Sequence, residues 1–144
     1  EDVKVKATER NFKVLIVLVA DDSAVARNQV KRALTSIGIQ VELVNDGKLA
    51  LDWLTAKAAE LGGDISTKVP LLISDIEMPE MDGYTLTAEI KANPALRQMH
   101  VVLHSSLSGV FNEAMVKKVG ADQFIAKFHP DELVSAVQKW MQTD

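Results

Sequence analysis

Apolar residues along the 144-residue chain follow two alternating rhythms. Runs at residues 14–20, 39–44, 69–75, 100–105 and 123–126 read as strands, because a strand covered on both faces loses its polar alternation. The second of these runs is less apolar than the first. Between the runs, apolar positions recur every three or four residues, the spacing of one helix face. Val25, Ala26, Val30, Ala33, Leu34 and Ile37 predict a first helix, capped by Asp22 or Ser23 and ended at Gly38. Leu49, Ala50, Trp53, Leu54 and Ala58 predict a second, after the turn signal Asn45-Asp46-Gly47 and before Gly62-Gly63. Residues 62–68 read as a polar loop. A third helix is predicted over 84–92, stopped by Asn93-Pro94, and a fourth over 108–119. The last begins near Asp131, with Leu133, Val134, Val137 and Met141 on one side. Five strands alternating with five helices imply right-handed crossovers and a parallel α/β sheet. Residues 1–12 have no apolar period and read as a linker or N-terminal arm, leaving 13–144 as one domain.

Composition adds exclusions. The chain is 47% hydrophobic, enough for a proper core at the size of a single domain. Its 16 basic residues are scattered and outnumbered by 20 acidic ones, which argues against a nucleic-acid surface. The absence of cysteine excludes disulfides, thiolate metal sites and thiol nucleophiles, and makes the cytoplasm the default location. The longest apolar run is too short to span a bilayer. Lys4, Lys6, Arg10 and Lys13 precede it, but Glu1, Asp2 and Glu9 share that stretch and Asp21-Asp22 follow at once, so it does not read as a signal peptide. A start at Glu1 rather than Met reads as a fragment or a trimmed product.

The chemistry lies where the runs stop. VLIVLVADDS closes on Asp21 and Asp22, LLISDIEMP carries Asp75, the fourth run ends at Ser105, and FIAKF carries Lys127. Parallel strands present all their carboxyl ends on one side, where open α/β sheets bind ligands. Two like charges about 4 Å apart repel by roughly 4 kcal/mol at an effective dielectric near 20. Three crowded carboxylates therefore call for a cation, and oxygen-only ligands select a hard one, Mg2+ or Mn2+. Mg2+ usually shares a phosphate oxygen, so the site has room for a phosphoryl group. A carboxylate can also attack phosphorus to give an aspartyl-phosphate, and Asp75, alone at its strand end, is the best candidate. Lys127 suits a phosphate oxygen as a point charge, and Ser105 can donate one hydrogen bond.

These motifs resemble those of two-component response-regulator receiver domains, the CheY family. The DD pair at Asp21-Asp22, D-x-x-M-P-x-M-D-G at residues 75–83, the hydroxyl at Ser105 and Lys127 carry the resemblance, which covers residues 13–142. It implies a flavodoxin-like doubly wound (βα)5 fold with strand order 2-1-3-4-5. It also implies phosphorylation of Asp75 by a histidine kinase. Asp22 and the Glu77 carbonyl would bind Mg2+ with Asp75, Asp21 would act through water, and Phe124 would be the switch aromatic working with Ser105. The stretches ADDSAVAR, LHSSLSG and AKFHPDEL further resemble the receivers of CheV-type chemotaxis coupling proteins. That implies a CheA-like kinase, a chemoreceptor array reached through a CheW-like domain outside this chain, and no enzymatic role beyond self-phosphorylation and autodephosphorylation. The sequence departs from the family pattern at Ser105, usually Thr, at Ser106, usually smaller, and at Phe128-His129-Pro130, where proline usually follows the lysine directly.

Plainer readings stand beside these. Asp21-Asp22 could only cap a helix, and Lys127 could be a solvated strand-end lysine. Ser105 could bond only to backbone, and Phe124 could be only core. His100 and His104 can share a strand face but have no third metal ligand nearby. Trp140 lies beside the last helix's stripe, where it could meet a partner. Competing functions are a receiver from a two-component transcription factor, a Mg2+-dependent phosphohydrolase, and a scaffold that docks without phosphorylation.

Overall fold

The computed structural model describes residues 14–106, 112–127 and 129–141. The expected arm at 1–12 lies outside them. β1 (Ile16–Ala20), β2 (Gln40–Val44), β3 (Leu71–Ser74), β4 (His100–Ser105) and β5 (Gln123–Ala126) form one sheet in the order β2-β1-β3-β4-β5. All four pairings are parallel. The helices are α1 (Ala24–Thr35), α2 (Gly47–Leu61), α3 (Gly83–Ala92), α4 (Glu113–Val119) and α5 (Pro130–Trp140). The implied fold and strand order are therefore present.

Alternation along each strand divides the core in two. Ile16, Leu18 and Ala20 of β1 join Leu72 and Leu103 against Leu54 of α2 and Leu86 and Ile90 of α3. Val17 and Val19 join Ile73 and Val102 against Val30 and Leu34 of α1 and Leu133 and Val137 of α5. Each fully buried Leu, Ile or Val contributes about 1.5–3 kcal/mol. β2 is an edge strand and no residue of it is fully buried, which explains its weaker apolar signal.

Several boundaries differ from expectation for local reasons. At α1 the structure selects one of the two expected caps, Ser23, which accepts from the Ala26 N–H at 3.2 Å. The turn signal at 45–47 is a helix start, with Asp46 accepting from the Leu49 N–H at 2.8 Å. α5 begins at Pro130 rather than Asp131, because a proline in the first turn forgoes an N–H that has no partner there. The loop at 62–68 is not wholly polar. It contains a 3-10 turn (Ile65–Thr67) that buries Ile65 completely. The start of the expected fourth helix falls partly outside the described residues. Among the described residues, no helix is long and apolar enough to cross a membrane.

Candidate functional site

The register that aligns Ala20 with Ser74, and Ser105 with Ala126, brings the strand ends into one crevice. Asp21, Asp22 and Asp75 each offer an oxygen there, all within 4.8 Å of one another. Asp21 is 2% exposed and Asp75 6%, whereas Asp22 is open to solvent. Capping by Ser23 leaves the acidic pair free of the helix-end role. The Asp21 side chain instead accepts the Ser23 N–H at 2.9 Å.

The two buried acids, Asp21 and Asp75, are held from more than one direction. The Asp75 N–H donates to the Ala20 carbonyl at 2.8 Å, tying β3 to β1, and one Asp75 oxygen accepts the Ile76 N–H at 2.8 Å. Arg27 reaches back from α1 to the Asp21 carbonyl at 2.7 Å. The Lys127 ammonium lies 2.9 Å from Asp21 Oδ2 and 3.3 Å from Asp75 Oδ2, so it is not a solvated strand-end lysine. Burial pulls its pKa down, but the hydrogen bond to Asp21 and the charges of Asp21 and Asp75 outweigh that and leave it raised. One ammonium against three carboxylates leaves net negative charge in a half-buried pocket. That charge and the all-oxygen donor set fit a hard divalent cation.

The loop that follows Asp75 is pinned by close backbone approach. The Gly83 N–H donates to the Ile76 carbonyl at 2.7 Å, and a Cβ at Gly83 would fall 2.2 Å from the Asp75 carbonyl oxygen. A Cβ at Gly47 would fall 2.3 Å from the Met81 carbonyl oxygen, so the start of α2 also presses on this loop. Glu80 sits at φ 69°, in the left-handed region. The Glu77 side chain is exposed on the same loop.

Ser105 is 3% exposed at the end of β4, and its carbonyl accepts the Lys127 N–H at 3.0 Å. Its hydroxyl takes no partner among the described residues. Phe124 is half-buried and packs against the core on the α2–α3 side of the sheet. His100 and His104 do share a face, but not a metal. His100 stacks on Trp140 with ring centroids 4.5 Å apart, and the only described group of three His, Asp or Glu ligands is the acidic cluster. Trp140 also donates to Gln123 at 2.7 Å, which ties α5 to β5.

Sequence reasoning missed three contributors. Arg27 acts through a backbone carbonyl, which no motif marks. Gly47 matters by close approach to a loop far along the chain. His104 is 6% exposed, and burial, then the Lys127 charge, lowers its pKa to about 4 against the opposing pull of Asp75.

A family-wide sequence profile described as the response regulator receiver domain matches residues 17–138. Chemotaxis protein CheV1 of Helicobacter pylori is 31% identical over 127 residues, covering 88% of this chain and 38% of CheV1. The chain thus spans well under half the length of that relative. Protein PilG of Pseudomonas aeruginosa is 36% identical over 125 residues, covering 86% of this chain and 85% of PilG. In fold, the chain is similar to the receiver domain of sensor histidine kinase PA1611 of P. aeruginosa, solved with a magnesium ion coordinated in its active site cleft. That match has a TM-score of 0.73, 24% identity, and coverage of 88% of this chain and 96% of the other.

Proposed function

This chain belongs to the response regulator receiver domain family, and from that premise we propose that it takes a phosphoryl group from a histidine kinase onto Asp75 and thereby switches partner binding in chemotaxis-type signalling. The observation that carries this reading is the cluster of Asp21, Asp22 and Asp75 beside the Lys127 ammonium at one sheet edge. In the transfer, an Asp75 carboxylate oxygen attacks phosphorus. The new O–P bond forms as the N–P bond of the donor phosphohistidine breaks, and the electron pair returns to the donor imidazole. The Ile76 N–H orients the Asp75 carboxylate for this step. Lys127 is placed to follow the negative charge onto the phosphoryl oxygens, and the Ser105 hydroxyl is available to a further one.

The carboxylates of Asp22 and Asp75 and the Glu77 carbonyl would hold Mg2+, with Asp21 acting through water. When bound, that ion offsets the repulsion between an anionic nucleophile and an anionic donor. Mn2+ shares the oxygen preference and would substitute. The magnesium in the cleft of the Pseudomonas receiver supports the choice.

Drawing Ser105 inward would open space for Phe124 and alter the surface formed by α4, β5 and α5. That is a two-state shift driven by one modification. The likeness to CheV1 supports a cytoplasmic role with a CheA-like kinase, and coupling to a chemoreceptor array through a CheW-like domain. The chain is an acceptor rather than an enzyme, with self-phosphorylation and autodephosphorylation its only turnover.

The test is the intact mass of the chain after incubation with Mg2+ and a small phosphodonor. The wild type should gain one phosphoryl group, and Asp75→Asn none while keeping its fold. Phosphorylation of Asp75→Asn at the full level would overturn the assignment. Steady turnover of phosphomonoesters would favour a phosphohydrolase.

A further inference from the structure

On the face of the sheet covered by α1 and α5, a cavity of about 520 Å3 lies between the two helices. That is within the range of small-molecule sites, roughly 300–1,000 Å3. Val30, Ala33 and Leu133 give it apolar walls, His104 projects from β4, and Arg32 and His129 stand at its exposed rim. It is separate from the acidic cluster, and no carboxylate lines it.

Three observations point to what it would hold. The His104 ring is 6% exposed yet makes no hydrogen bond to the protein among the described residues. His104 lines the cavity, which is the space beside its ring. A neutral imidazole there offers one donor and one acceptor. Arg32 forms no ion pair among the described residues, leaving a guanidinium free to pair with an anion at the same opening. The α5 N-terminus also meets the cavity without a side-chain cap. Its first-turn acids, Asp131 and Glu132, line a different hollow with Gln123 and Lys139. At the rim, His129 faces the Glu132 carboxylate at 3.6 Å, so the positive charge offered at the opening is that of Arg32, above an apolar floor.

We infer that this cavity binds a small carboxylic acid with an aromatic or branched aliphatic body, its carboxylate held by Arg32 and His104 and its body laid on Val30, Ala33 and Leu133. Phosphate esters fit less well, because a dianion gains little from apolar walls. His104 directly precedes Ser105, so the ligand would rest on the strand that carries the site hydroxyl.

The experiment is an NMR titration of the chain with phenylacetate, and with phenylacetamide as its uncharged counterpart, reading the His104 imidazole and the methyls of Val30 and Leu133. Saturable shifts at these groups are expected with phenylacetate. Binding should weaken about tenfold or more, roughly 1.4 kcal/mol, for the amide and in Arg32→Gln. Because Arg32 is at the surface, that variant should keep its fold. Ala33→Leu, which fills part of the cavity, should abolish the shifts while the rest of the spectrum stays native. Absent shifts, equal shifts with the amide, or shifts centred on Lys127 and Asp75 would each overturn the inference.

Discussion

Replacing Gly83 with alanine tests whether the acceptor loop is held by backbone contact. The new Cβ would lie 2.2 Å from the Asp75 carbonyl oxygen, 2.9 Å from Ile76 Cα and 3.1 Å from the Asp75 carbonyl carbon. Ordinary carbon–oxygen approach is about 3.3 Å or more, so the two backbones must part by about 1 Å. No flexible side chain is available to yield. The Gly83 N–H bond to Ile76 and the burial of Leu86 and Ile90 hold α3 in place on the other side. Overpacking of this kind costs about 1–3 kcal/mol, and with backbone on both sides the upper end applies, about 3 kcal/mol. The same movement displaces Asp75 from Lys127 and from its acidic neighbours. Urea unfolding should therefore lose about 3 kcal/mol, and phosphorylation by a small phosphodonor should slow at saturating Mg2+. Ala88→Gly in the exposed middle of α3 is the control. It costs about 1 kcal/mol through helix propensity alone and should leave the phosphorylation rate unchanged. A Gly83→Ala protein with native stability and native phosphorylation would refute the close-contact argument.

Other outcomes follow from the same geometry. Lys127→Met leaves two buried carboxylates without their ammonium, so its stability at neutral pH should fall and be partly restored by added Mg2+, read by thermal unfolding with and without the ion. Because the Lys127 pKa is raised on folding, its contribution is complete below the ordinary value of 10.5 and is lost as pH rises through the higher folded value. The alkaline decline of wild type should therefore be shallower in Lys127→Met. His104, with its pKa lowered to about 4, favours the unfolded chain as pH falls from 6.5 toward that value. Stability should drop by about 3 kcal/mol across that window from this group, and an imidazole carbon that titrates near 6.5 in the folded protein would contradict this. Asp122→Asn weakens a cluster in which one carboxylate accepts the Val101 N–H at 2.7 Å and faces Lys91 and His100, each at 3.4 Å. A loss of about 1–2 kcal/mol is expected in urea unfolding, with phosphorylation unaffected because the cluster lies at the opposite edge of the sheet.

The strands were legible because a parallel sheet buried on both faces strips polar residues from its centre. Every residue of β1 and β3 is buried; β1 is an unbroken apolar run and β3 is apolar up to Ser74. β2 was legible mainly through its place in the alternation, since an edge strand needs no such run. Ile65 was not, because one apolar residue in a polar loop carries no period, and its burial depends on packing against distant elements. The cap of α1 was ambiguous for a related reason. Asp22 and Ser23 are both good caps, and only the site decides which is used.

The candidate site divides along the same line. Chemical type is local, so Asp21, Asp22, Asp75, Ser105 and Lys127 were readable as strand-end groups once the alternation was seen. Pairing is not local. Asp21 follows β1 and Lys127 follows β5, three strands away in the sheet, and they meet at 2.9 Å only in this strand order, whereas alternation alone allows others. The supports of the site are harder still to read, because they act through the backbone. Arg27 holds a carbonyl, and Gly47 and Gly83 act by lacking a side chain where another segment's carbonyl passes. An absence of atoms has no periodicity and no charge, so a glycine inside an acceptor loop looks like any turn residue. The carboxylates would supply the chemistry proposed above, and the two glycines set how closely the loop that carries Asp75 can sit against its neighbours. A change at Gly47 or Gly83 should therefore disturb the site as surely as a change at Lys127, though neither glycine could touch a substrate.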